Sequence, residues 1–269
     1  MSIAKQTGVA LVQVLLISAL LLLLVVRLSQ DAQSSVEIAT KLKNKVNFIV
    51  NSETGFAEIQ YAALTQEKGF TLRLQEGQKV NFHSDPVKYT QSMMVEIQDL
   101  AGHLSTTFFG NQWLDFVQGD NEKLDSLKEW QGLEGYGVSA KKNRNARIPY
   151  KKELFLLGGW ENKALDLVTH YPTGFFNVAT APNQLLQLIL PVESVEKIEE
   201  LRRTNTMSRQ NMMRIPNIDS ESVFPPSKYI QVTLKNVSNN ELETHLQRIR
   251  TFNIQTGERI PVLEIGNGT

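Results

Sequence analysis

The sequence predicts an α+β fold: a long N-terminal membrane-spanning helix packed on a small antiparallel sheet, with an all-helical domain inserted into that sheet. Three observations predict it. An apolar run near the start continues into an amphipathic stripe. Two separated blocks, residues 68–107 and 218–269, alternate apolar and polar residues, and the stretch between them, residues 108–217, carries the helical period.

The helix comes first. Val9 to Val26 is an 18-residue apolar run broken only by Gln13 and Ser18. At ~1.5 Å per residue it is about 27 Å long, close to the ~30 Å hydrocarbon core of a bilayer. In front of it, residues 1–8 form a short polar leader whose single cation, Lys5, favours a cytoplasmic N-terminus and places the bulk of the chain on the other side. A cleaved secretory signal is the competing reading. Ala32-Gln33-Ser34 is a poor small-x-small site for it, and Arg27 and Asp31 make the segment long and charged for that purpose. Past the apolar run, Leu28, Ala32, Val36, Ala39, Leu42, Val46 and Ile49 recur at gaps of three and four, one helical stripe. No proline precedes Pro86, and no glycine lies between Gly8 and Gly55. One helix over 9–67 follows, its part in lipid being 9–26. A generic membrane stalk would share this pattern.

After Gly69 the period changes to two. Phe70, Leu72 and Leu74 share a face, Glu76-Gly77 reads as a turn, and Val80 with Phe82 returns, which predicts a hairpin. Met94 to Asp99 reads as a further strand, with Val95 and Ile97 alternating with Glu96 and Gln98. From Phe108 to about Met213 short helical pieces are punctuated by glycines and prolines, with Leu124, Leu127 and Trp130 on one face and Leu185, Leu186, Leu188 and Ile189 on another. Pro225-Pro226 marks the return to strands at Tyr229 to Leu234, Leu246 to Phe252 and Ile260 to Ile265.

Composition removes several chemistries. The 28 basic and 28 acidic residues balance, so bulk charge gives no reason to expect nucleic acid, and with no cysteine there is no disulfide framework, thiolate metal site or cysteine nucleophile. His83, His103, His170 and His245 are scattered without metalloprotease spacing, and no Gly-x-Ser-x-Gly elbow or phosphate-binding loop occurs. Asp115, Asp120 and Asp125 read as surface charges or helix caps. No enzymatic activity and no cofactor are expected.

Gly8 before the apolar run resembles the prepilin signature, in which a membrane peptidase cuts after glycine and leaves the helix attached. Further segments are more specific. Asp99-Leu-Ala-Gly-His-Leu resembles the Asp-x-x-Gly-x-Leu segment of the K-type minor pseudopilins of bacterial type II secretion. Ser126-Leu-Lys-Glu-Trp130 resembles their Leu-x-Asp-Trp segment, Pro149-Tyr150 and Glu153 to Gly159 their Pro-Tyr and Glu-Leu-x-x-Val-x-Gly run, and Phe176 to Pro182 their Asn-Ile-Asn-Thr-Ala-Pro motif. The segments keep the family's order over nearly the whole chain.

The resemblance implies a pilin-like fold and a structural role at the tip of the pseudopilus, with processing between Gly8 and Val9. It implies a single-pass protein of the bacterial inner membrane, mostly periplasmic. Its partners would be the I-type and J-type minor pseudopilins, the inner-membrane assembly platform and the prepilin peptidase, with no nucleic acid. Assembly would run along Gln13 and the stripe from Leu28 to Ile49. Most pilins carry glutamate at the place of Gln13, where its carboxylate is thought to pair with a neighbour's N-terminal amine in lipid. Like the K-type subunits, this chain lacks it, which suits a tip position. A minor pilin of a type IV pilus is the nearest alternative. A helix-hairpin-helix DNA-binding protein is a more distant one, because the turn Leu190 to Ser194 has no glycine and stands among Glu193, Glu196, Glu199 and Glu200, which repel phosphate.

Two departures stand out. Ala179 replaces the second asparagine of the family motif. The acidic calcium loop is missing, since Gln131 to Lys152 holds one acid, Glu134, against Lys141, Lys142, Arg144, Arg147, Lys151 and Lys152. Calcium takes six to eight oxygens, and Glu129 with Glu134 would be an incomplete set. The expected outcome is a thermal midpoint that is the same in calcium and in chelator; a saturable rise of several degrees at submillimolar calcium would reveal a site.

Overall fold

A 62-residue helix, α1 (Ala4–Thr65), opens the chain. Its span Leu11–Thr65 contains an 18-residue window of mean hydropathy 2.7, long and apolar enough to cross a membrane. The single long apolar helix is compatible with a single-pass membrane anchor. The computed structural model describes residues 4–67, 69–74, 77–132, 146–157, 160, 162–237, 246–257 and 259–260. Two compact units divide the chain, Met1–Asn51 and Ser52–Thr269, and each is described by itself.

The second unit begins with the last turns of α1. Then come strands β1 (Thr71–Arg73), β2 (Lys79–Asn81), β3 (Val87–Lys88), β4 (Met93–Asp99) and β5 (Leu104–Ser105), and helices α2 (Asn111–Phe116), α3 (Asn121–Trp130) and α4 (Asn162–Leu165). Strand β6 (Val168–Thr169), helices α5 (Asn183–Ile189), α6 (Val192–Arg203) and α7 (Arg209–Met212), and strands β7 (Tyr229–Asn236), β8 (Gln247–Asn253) and β9 (Arg259–Ile260) complete it. The architecture is α+β.

A five-stranded sheet in the order β3-β4-β7-β8-β9 is antiparallel throughout. Alternation explains its register. Val95 pairs Leu234 and Ile97 pairs Val232, so that these four, with Ile230 and Phe252, form one fully buried face. Phe56 and Ile59 of α1 are fully buried too, with the rings of Phe56 and Phe252 6.1 Å apart. Gly55 permits this approach, because a Cβ there would stand 3.0 Å from Tyr89 Cε1 and 3.2 Å from Leu234 Cδ1. Polar ties fix the helix at its flanks. Glu53 receives Arg250 and, at 2.8 Å, Arg248, and the Tyr89 hydroxyl donates to Glu58 at 2.6 Å. The two arginines hold the Glu53 carboxyl below the usual carboxylate range, Arg250 contributing most.

The expected hairpin is present as β1–β2, in a two-stranded sheet of its own; among the described residues the isolated bridge His83 to Gln98 links the segment after it to β4. The backbone turns away at Ser84, where φ is +64°. One expectation needs correction: the inserted block, residues 108–217, is not all helical. Val168 and Thr169 of β6 pair in parallel with Leu104 and Ser105 of β5. Both β6 residues are buried, so their backbone groups need partners, and a two-residue strand is too short to show a period.

The block has its own core, in which Trp113, Leu127, Leu154, Leu185, Ile198 and Met212 are fully buried. Trp113 sits centrally. Its ring meets Trp160 edge-on at 6.0 Å, and its Nε1 donates to the carbonyls of Ser105 and Phe108, both at 3.1 Å.

Candidate functional site

Gly8 and Val9 lie within α1, ahead of the first side chains that the structure describes. Gln13, Leu28, Ala32, Val36, Ala39, Leu42, Val46 and Ile49 follow along the same helix, all exposed, the larger apolar ones between 40% and 66%. At 100° per residue the seven from Leu28 to Ile49 occupy an arc of about 140°. Three polar neighbours on this stretch bond within the helix: Ser35 Oγ donates to Asp31 O at 2.9 Å, Thr40 Oγ1 to Val36 O at 2.8 Å, and Lys41 pairs Glu37 at 2.5 Å. The apolar stripe is exposed along this stretch, as are its polar neighbours.

In the second unit, two segments singled out by resemblance come together. β4 ends at Asp99, whose carboxylate caps the 3-10 turn Leu100–Gly102 by accepting from Ala101 N at 3.2 Å. The same carboxylate accepts from Thr180 Oγ1 at 2.8 Å, Asn177 Nδ2 at 3.2 Å and Ser227 N at 3.0 Å. Asn177 in turn caps the 3-10 turn Val178–Thr180 and donates to Phe224 O at 3.0 Å. Asp99, Asn177 and Thr180 are all within 1% of full burial. Burial pushes the Asp99 carboxyl above its usual range, opposed by its bonds from Ser227, Thr180 and Ala101. Gly102 is required by contact: a Cβ there would lie 2.3 Å from Thr180 O and 2.8 Å from Ala181 N.

Arg202 of α6 clamps the neighbouring chain from the other side. It donates to Asn183 Oδ1 at 2.5 Å, Ala179 O at 3.1 Å and Ala181 O at 2.7 Å. Burial lowers its pKa to about 10, so the guanidinium stays charged. Ala179, where the family motif has asparagine, is buried and contributes its carbonyl to this clamp; the turn is capped by Asn177 instead.

A cleft of 380 Å³ opens beside this joint, floored by the outward side chains of β4 and β7 and walled by the turn after α4 and the start of α5. His103 lines it, 8% exposed, and its ring has no hydrogen bond among the described residues. Burial, and secondarily the Lys151 charge, push its pKa down to about 3. His83 also lines the cleft, its Nε2 2.8 Å from Asp85 Oδ2, and burial lowers its pKa as well.

Among the described residues no group of three or more His, Asp or Glu could hold a metal ion. Glu129 lies in the last turn of α3, and Glu134 lies outside the described residues, as do Lys141, Lys142 and Arg144. Sequence reading set His103 aside as one of four scattered histidines and did not single out Arg202. Only the Asp99 and Asn177 motifs, read together, pointed to this region.

Gly102→Ala is expected to destabilise the protein by about 3 kcal/mol or more, because backbone and not a flexible side chain blocks the added methyl. Chemical denaturation of the full chain measures it. For His103 the folded pKa is depressed, so the unfolded chain takes up the proton first and stability falls as pH drops below ~6.5 toward about 3. His103→Leu should flatten that slope by about one proton, close to 1.4 kcal/mol per pH unit, as read from denaturation curves between pH 7 and 5.

A scan against protein-family models finds none that matches this chain, and a search of curated proteins finds no match.

Proposed function

We propose that this chain is a K-type minor pseudopilin: a structural subunit at the tip of a type II secretion pseudopilus, held in the bacterial inner membrane by α1 with the bulk of the chain in the periplasm. The observation that carries this reading is the joint at Asp99. The segments Asp99 to Leu104 and Asn177 to Pro182 were matched to the family one at a time, yet their side chains bond directly across 78 and 81 residues of sequence. A chance likeness of either segment has no reason to produce that pairing.

The long apolar helix supports the same reading, since it supplies both an anchor and an uncovered stripe along which other subunits can pack. Gln13 lacks the carboxylate that would pair with a neighbour's amine, which favours a capping position over a repeating one. On this reading the chain binds I-type and J-type minor pseudopilins and the assembly platform, is processed by the prepilin peptidase, and performs no catalysis.

Cleavage between Gly8 and Val9, leaving an N-methylated Val9 and the intact helix, is the expected processing, and intact mass of the membrane-extracted protein reads it out. A mature chain beginning at Ser35 would mean a secretory signal instead. Copurification with the two companion pseudopilins is expected from envelope extracts. Fibres of this chain in cells lacking all other pseudopilins would contradict the tip position.

A further inference from the structure

We propose that the exposed stripe of α1 between Leu28 and Ile49 is a coiled-coil seam that takes one parallel helix of a different membrane-anchored protein, with carboxylates on that helix facing Lys43 and Lys45. The inference rests on the membrane placement in the proposed function and deepens it, by naming the partner's chemistry and the residues that select it.

The spacing on the helix says what covers it. From Leu28, steps of four and three lead without a break through Ala32, Ser35, Ala39, Leu42 and Val46 to Ile49, three heptads of a 3.5-residue repeat. At 100° per residue these positions stay within an arc of about 100°. An extended strand repeats every two residues and cannot follow such a seam, whereas a second α-helix supercoiled on the first does. Ala32, Ser35 and Ala39 are small, which lets the partner's backbone come close over the half nearer the membrane. The Ser35 hydroxyl donates within the helix to Asp31 O at 2.9 Å, so its proton needs no acceptor on the partner. The apolar run continues into this seam as one helix, and a partner anchored the same way runs parallel to it.

Charge then selects the partner. In a heptad repeat the positions beside the seam set partner choice and orientation through their charges. Here those positions carry Asp31 and Lys45 on one flank and Lys43 on the other. Lys41 lies off the seam and is already paired with Glu37 at 2.5 Å, whereas Lys43 and Lys45 are exposed and have no ion pair among the described residues. A parallel copy of this chain in register would bring both lysines of each helix to the same turn. Four cations would then meet with no acid among them, since Asp31 is 12 residues from Lys43, about 18 Å along the axis. A copy slid outward by one heptad would set its Asp31 against Lys43, but it would also draw about 10 Å of apolar helix out of the bilayer. A different helix with Asp or Glu at the two facing positions meets neither obstacle.

The probes are synthetic helices, each a leucine-rich membrane span followed by three heptads with leucine and alanine in the seam. One carries Glu beside the seam, a second carries Lys there, and a third keeps the Glu residues but scrambles the heptad. Each is mixed with the fluorescently labelled full chain in phosphatidylcholine vesicles, and energy transfer measures association. The Glu helix is expected to associate about tenfold more strongly than the Lys helix, because two exposed pairs change from attraction to repulsion. The variant Lys43→Glu/Lys45→Glu should reverse that order while its helix content by circular dichroism stays the same. Equal association of the Glu and Lys helices (none included), equal association of the scrambled helix, an unreversed order in the variant, or self-association of the full chain as strong as its association with the Glu helix would each overturn the proposal. Cleavage after Gly8 and copurification with companion pseudopilins involve none of these probes, so the proposed function stands or falls separately.

Discussion

The buried carboxylate of Asp99 is the interaction on which the second unit depends. It is removed from water entirely, which costs several kcal/mol for a charged group. Four donors meet it, from the turn after β4, the Asn177 side chain, the Thr180 side chain and the backbone that enters β7. Charge-assisted bonds contribute roughly 1.5–3 kcal/mol each, so four offset the desolvation where two would leave it close to even. All four must be present together. The end of β4, the 3-10 turn at Val178 and the start of β7 are therefore positioned as one piece, and the helical block enters and leaves the sheet through this point.

Around that carboxylate the packing leaves no slack. Gly102 lies against the Thr180 carbonyl, which also accepts from Gln98, and Arg202 takes up the Ala179 and Ala181 carbonyls on either side of it. Backbone groups that the irregular segment 177–182 cannot pair with itself are thus satisfied by side chains from β4 and α6. An irregular stretch can be buried only under that condition. The attachment of α1 to the sheet uses different means: apolar burial of Phe56 and Ile59, with the arginines of β8 stacked over the Phe56 ring and closed by Glu53.

The legible parts of this fold are those written in a period. The run from Val9 to Val26 and the stripe to Ile49 announced the helix, and the alternation at Val95 and Ile97 and at Ile230, Val232 and Leu234 announced β4 and β7 with their buried faces. Two-residue strands such as β3 and β6 carry no period and were invisible. The cleft was illegible for another reason. Its members come from β4, the turn after Gly102, the segment after α4, α5 and β7, and nothing in the spacing of His103, Asp166 and Gln231 shows that they meet. Arg202 was not singled out, because charge alone does not tell whether a helix residue meets water or, as here, backbone carbonyls. Asp99 and Asn177 were visible as motifs, but their partnership was not, since the sequence gives residues and the fold supplies pairs.

Two exposed surfaces differ in kind. The stripe on the first unit is apolar, so covering it releases free energy in proportion to area, about 25 cal/mol per Å², with little demand on the partner's sequence beyond a matching helix face. The cleft on the second unit is polar, and burying it against a mismatched surface would leave donors and acceptors unpaired at a cost that area cannot offset. The stripe therefore gains from any suitable helix face, whereas the cleft groups can keep their hydrogen bonds to water and need no protein partner.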